Sequence, residues 1–146
     1  MAAPDPRKAR LRHRRRPAER PVELRPQSAG GRPFIQGYGA GRFRVGGTLL
    51  TGSVIVLPDR AEPWAVTDPG AVTLASLAPV VAAASSLDLL LLGCGAAPFI
   101  PAAELRDELR RLGVTVEAMD TGAACRTFNV LLAEDRRVVA ALIAVA

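Results

Sequence analysis

The chain has 146 residues, 49% of them apolar, and a formal net charge of +5, which fits one domain of ordinary size with a real core. Residues 1–44 hold twelve Lys/Arg against three Asp/Glu, net +9, whereas the remaining 102 hold seven against eleven, net −4. The positive charge therefore describes a tail, and a basic domain surface for nucleic acid is not supported.

Residues 1–33 read as a disordered, Arg/Pro-rich tail, and residues 34–146 as one α/β domain. "RHRRRP" (12–17) reads as a solvated charge run; any contact with RNA, an acidic partner or a lipid surface would go through Arg12–Arg16. No apolar h-region of a signal peptide follows the basic start. Residues 1–35 are Arg-rich and acid-poor like a transit peptide, but a single Ser and five Pro before Pro33 suit a targeting helix badly. The apolar stretch Leu89–Ala103 has 15 residues, two Gly and two Pro, short of the roughly 20 that a spanning helix needs.

From Phe34 the pattern changes. "FRVGGTLLTGSVIVLP" (43–58) predicts a hairpin around Gly46-Gly47 and then a strand, Val54–Leu57. "EPWAV" (62–66) predicts a further short strand, kept at an edge by Pro63. These form an antiparallel β unit. Ser76 is expected to cap a helix over Leu77–Ser85. "LDLLLL" (87–92) reads as a buried strand. Pro101–Leu112 is the clearest helix, with Leu105, Leu109 and Leu112 on one face and Gly113 as its stop. "VTVEAM" (114–119) predicts a strand, Thr121–Glu134 a helix capped by Asp120 or Thr121, and "RVVAALIAV" (137–145) a final buried strand. Strands alternating with helices imply βα units and a sheet with parallel pairs. The predicted architecture is a layered α/β domain with a mixed sheet.

"LLLLGCGAAPFIP" (89–101) contains half of a dinucleotide fingerprint: Gly93 and Gly95 are present, but Pro98 stands where the third glycine belongs. Proline does not allow the close helix–strand approach which that glycine serves, so no cofactor is expected. Catalysis is weakly supplied. His13 and Lys8, both in the tail, are the only His and Lys, so the domain lacks the commonest proton-transfer side chain and any Schiff-base amine. Cys94 and Cys125 lie 31 residues apart, which is neither a disulfide framework nor a metal spacing and suits a reducing compartment. Cys94 follows a strand and precedes a helix, a place where a thiol can be activated; the plainer reading is a small residue in a tight turn. Cys125 is expected to face the core.

Open α/β sheets receive ligands at strand carboxyl ends. If the two strands are neighbours, Gly93, Cys94 and Gly95 flank one crevice with Asp120 and Thr121, which otherwise read as helix caps. In "RTFN" (126–129), Thr127 and Asn129 are candidates to face a partner; Asn129 could instead reach a backbone group or stand exposed.

"GYGAGRFRVGGTLLTGSVIVLP", "LLLLGCG" and above all "MDTGAACRTFNVLLAE…RVVAALI" resemble the Mth938-like domain family over residues 34–145. Its eukaryotic members include a mitochondrial complex I assembly factor and an adipogenesis-associated protein, and the resemblance is nearer to the first. It implies a compact α/β domain with a mixed sheet, no established catalytic activity and no cofactor. It also implies a protein partner, because the mitochondrial member binds another assembly factor and early complex I intermediates at the inner membrane. The leading expectation is a non-enzymatic protein-interaction domain, an assembly or accessory factor for respiratory complex I. It would be cytoplasmic and peripheral at the inner membrane in a bacterium, or mitochondrial in a eukaryote. The alternative is a small-ligand or redox-sensing domain using the Gly93–Gly95/Asp120–Thr121 crevice.

Overall fold

Gly46 and Gly47 turn the chain back on itself with φ of 56° and 85°, the left-handed pair that matches the natural twist of a two-residue hairpin. The computed structural model describes residues 21–24 and 32–146. Its first sheet is antiparallel, ordered β1 (Val22–Glu23), β2 (Ile35–Gly39), β3 (Arg42–Val45), β4 (Thr48–Thr51). Strand β1 falls inside the tail that was expected to lack regular structure. Val22 and Glu23 pair with Tyr38 and Gly37, and the Leu24 N–H donates to the Gln36 carbonyl at 2.9 Å. The free edge of β2 supplies those partners, which composition alone does not reveal. The rest of the expected tail, 1–20 and 25–31, lies outside the described residues.

The second sheet is mixed. Its strands are β5 (Val54–Val56), β6 (Ala61–Pro63), β7 (Leu89–Gly93), β8 (Thr115–Met119) and β9 (Val138–Leu142), in the spatial order β6-β5-β9-β7-β8. Strand β7 is parallel to both β8 and β9, while β5 is antiparallel to β9. The hairpin β5–β6 therefore leaves the amino-terminal β unit in which the sequence pattern placed it. The reason is burial: every residue of β5 and of β9 is buried, and a strand apolar on both faces is satisfied only inside a sheet covered on both sides. Pro63 does lie on an edge strand, but the strand ends there. Trp64 instead turns inward and donates its indole N–H to the Ser76 carbonyl at 2.8 Å.

Among the described residues three α-helices cover this sheet: α1 (Ala78–Ala82), α2 (Ala103–Arg111) and α3 (Thr121–Ala133). Alternation along the strands divides the interior into two cores. Leu90 and Leu92 of β7, with Val139 and Ala141 of β9, face Val80 of α1 and Leu105 and Leu109 of α2. Leu91, with Val138, Ala140 and Leu142, faces Phe128 and Leu132 of α3 together with Phe34, Phe43 and Val45 of the first sheet. Thus α3 and the antiparallel sheet share one side of the mixed sheet.

Two local expectations are corrected. Leu112 lies beyond the last residue of α2 and is 40% exposed, because the helix stops one residue short of returning it to the core. Ser76 does not cap a helix side-on. It accepts from the Thr73 N–H at 2.9 Å while Thr73 Oγ1 accepts from the Ser76 N–H at 3.1 Å. This reciprocal pair is a capping-box arrangement with Thr73 rather than Ser76 at the cap; the turn it opens is 3-10, and only Ala78–Ala82 is α-helical, between 3-10 turns at Ala75–Leu77 and Ala84–Ser86.

Candidate functional site

The parallel strands β8, β7 and β9 bring their carboxyl ends together, so Gly93–Gly95 and Asp120–Thr121 are neighbours, as the crevice reading required. They are in direct contact. The Cys94 N–H donates to the Met119 carbonyl at 2.8 Å, the Thr121 N–H to the Gly95 carbonyl at 2.9 Å, and the Ile143 N–H to the Gly93 carbonyl at 2.9 Å. The Thr121 side chain completes the closure. Its hydroxyl donates to the Ile143 carbonyl at 2.7 Å and accepts from the Gly95 N–H at 2.9 Å, and the residue is fully buried. Gly93 is needed for this approach: a Cβ there would sit 2.9 Å from Leu142 Cδ2 and 3.1 Å from Thr121 Cα. The crevice is therefore filled by the domain's own side chain, and Thr121 acts as a tie as well as the first residue of α3. Asp120 is the helix cap, its Oδ1 accepting from the Ala123 N–H at 2.9 Å.

Neither thiol is presented as a nucleophile. Cys94 is buried, and desolvation raises its pKa above that of an ordinary thiol, with Asp120 adding to the effect; hydrogen bonds from the backbone around Phe99 and Met119 oppose it. Cys125 lies in the core under α3, where burial pushes its thiol up to about 12. Both shifts favour the neutral thiol, the form that does not attack.

Asn129 is not partner-facing. It is buried in α3, with its Nδ2 donating to the Ile35 carbonyl at 2.8 Å and its Oδ1 accepting from the Ile35 N–H at 2.8 Å. The amide replaces a neighbouring strand at the part of β2 that the two-residue β1 does not reach. Thr127 is half-buried beside Met119, with its hydroxyl 3.7 Å from the thioether sulfur. Sequence reasoning also passed over two turns at the opposite end of the sheet, Asp59-Arg60 and Asp135-Arg136-Arg137. Asp-Arg pairs repeated at element ends were the available signal.

The fold is that of a two-sheet α/β domain, and the strand-end position where such sheets receive ligands is occupied by its own threonine. The chain belongs to the family described as protein of unknown function (DUF498/DUF598), whose model matches residues 35–143. It is 42% identical to an uncharacterized protein of Rhodobacter capsulatus, over 81% of this chain and 89% of that one. It is 33% identical to the NADH dehydrogenase [ubiquinone] 1 alpha subcomplex assembly factor 3 of Danio rerio, over 84% of this chain and 70% of the fish protein. Among solved structures, it is similar to a Mth938-like domain from Bordetella pertussis, with a TM-score of 0.70, 28% identity, and coverage of 84% of this chain and 92% of that one. The Mth938-like fold anticipated from the sequence is the fold observed.

Proposed function

We propose that this chain is a non-enzymatic protein-interaction factor that takes part in assembling respiratory complex I. The observation that carries the reading is the 33% identity to complex I assembly factor 3 of Danio rerio, which extends over 84% of this chain. The geometry supports it from the other side. Thr121 fills the strand-end crevice, and both free cysteines are buried with raised pKa values. A domain built this way acts through its surface. Among the described residues no helix is long and apolar enough to cross a membrane, and we place the protein at the cytoplasmic face of the inner membrane in a bacterial cell. Deleting the gene tests the proposal. Membranes from the deletion strain should lose rotenone-sensitive NADH:quinone activity and accumulate smaller complex I intermediates on native gels, with both restored by the wild-type chain. Full-sized, fully active complex I in the deletion strain would sink it.

A further inference from the structure

Residues 96–103, AAPFIPAA, hold no charged side chain, and all but Pro101 are exposed. They follow the carboxyl end of β7 and lead into α2. Ile100 is 84% exposed and Phe99 beside it 40%, against the tendency of apolar surface to leave water. This apolar prong is held from two sides. The Phe99 ring packs beside Gly70, its Cζ 3.9 Å from where a Cβ would stand, and the Phe99 carbonyl lies 3.8 Å from the Cys94 thiol. Pro98 and Pro101 remove two backbone N–H groups that would otherwise need water. The charge-free character extends beyond the prong. Residues 69–103 contain one charged side chain, Asp88, which precedes β7 at the other end of the sheet and is paired with Arg137.

The same end of the domain receives the most cationic stretch of the chain. Residues 1–20 hold eight Lys/Arg against two Asp/Glu. They join the fold at Pro21, and β1 runs antiparallel to β2, so the chain arrives beside Gly39 and Arg42 at the β2–β3 turn. In that turn the Gly41 N–H donates to the Val145 carbonyl at 2.8 Å, just beyond β9, and the Ile143 N–H donates to Gly93, just before the prong. An apolar prong and a cationic segment therefore both issue from the carboxyl end of the parallel strands. Asp68 and Glu104 border the prong with the opposite sign, so attraction to an anionic surface must come from the cationic segment.

We propose that this end docks on an anionic lipid surface, with Phe99 and Ile100 at the boundary between headgroups and acyl chains and residues 1–20 on the headgroups. This rests on the placement at the inner membrane proposed above and names the face that makes the contact. A lipid interface takes a convex apolar tip without a matching pocket, whereas a folded protein would need one. Neither signal suffices alone, because a small apolar anchor binds membranes marginally and a polybasic segment supplies the second attachment. Irregular backbone is excluded from the hydrocarbon core, which limits the prong to boundary depth.

The test uses the full chain and co-sedimentation with phosphatidylethanolamine/phosphatidylglycerol vesicles, with phosphatidylcholine vesicles as the neutral control. The wild type should bind the anionic vesicles about tenfold or more tightly than the neutral ones, and lose that preference as salt rises. Ile100→Asp should weaken binding roughly tenfold; the side chain is at the surface, and near-UV circular dichroism checks that the fold is kept. Neutralising Arg12, Arg14, Arg15 and Arg16 to Gln together should weaken it about as much or more. In Ile100→Trp, indole emission should shift to the blue on anionic vesicles and be quenched by brominated acyl chains, against a wild type whose Trp64 is buried. A wild type that does not bind, a folded Ile100→Asp that binds equally well, or an Ile100→Trp emission unmoved by vesicles would each overturn the proposal. If the wild type ignores vesicles and Ile100→Asp still fails to restore complex I in the deletion strain, the prong is a protein contact instead. The two readings fail separately. Normal complex I in the deletion strain removes the assembly role and leaves the vesicle result standing, whereas absence of vesicle binding removes the lipid face and leaves the assembly role.

Discussion

The parallel strands β8, β7 and β9 end in two different ways. At their carboxyl ends, three backbone hydrogen bonds and the doubly bonded Thr121 hydroxyl join the loops into one buried piece. At their amino ends, backbone hydrogen bonds from Asp88 to Arg137 and from Thr115 to Asp88 also join the strands, but the side chains there are charged and exposed, held in surface ion pairs such as Arg137–Asp88. In many α/β proteins the carboxyl end is the working end. Here one threonine and one glycine close that end. A strand end becomes a site only when its loops diverge, and these converge, because Gly93 lets the start of α3 approach to contact distance.

Breaking the closed end should have the largest effect. Thr121→Val keeps the shape but leaves the Gly95 N–H and the Ile143 carbonyl buried without partners, at a cost of roughly 2–5 kcal/mol read from urea denaturation. A variant as stable as wild type would mean that the tie contributes nothing. Asn129→Leu comes next. It removes the amide that pairs with both backbone groups of Ile35, so a loss of roughly 2–4 kcal/mol is expected, with amide exchange at Ile35 accelerating more than exchange in β7.

The open end should tolerate change. Asp88→Asn removes an exposed pair with Arg137 and should leave the denaturation midpoint at neutral pH almost unmoved. Whatever difference remains disappears in acid. The hydrogen bond from Arg137 holds the Asp88 carboxyl below its ordinary value of 3.8. The stabilisation is therefore present above the unfolded pKa and is lost as pH falls through the folded one. Wild-type and variant midpoints should thus differ slightly above pH 4 and converge below it. A gap that widened on acidification would contradict this sign.

Legibility in the sequence followed contact range. The Gly46-Gly47 hairpin, two of the three leucines on the α2 face, Leu105 and Leu109, and a cap at Asp120 or Thr121 were readable, because each is decided within a few residues. The placement of β5 was not, because its partner β9 lies more than eighty residues away in the chain, with Val54 opposite Leu142. The same holds for Asn129, for which a backbone group, a partner and solvent were all open from sequence; the backbone group proved to be that of Ile35, 94 residues earlier. The Gly93–Gly95 and Asp120–Thr121 loops touch, but whether they stood apart was beyond the reach of sequence.

By itself, then, the sequence determined the order of strands and helices from β3 onward, the mixed α/β class, the family, and a domain lacking His and Lys. These rest on local turn chemistry, on apolar periodicity and on composition. Only the tertiary structure decided which end of the sheet is closed. That outcome depends on whether Thr121 Oγ1 meets both the Gly95 N–H and the Ile143 carbonyl. The two groups are separated from it by more than twenty residues on either side, and only the register of three parallel strands brings them within hydrogen-bonding distance.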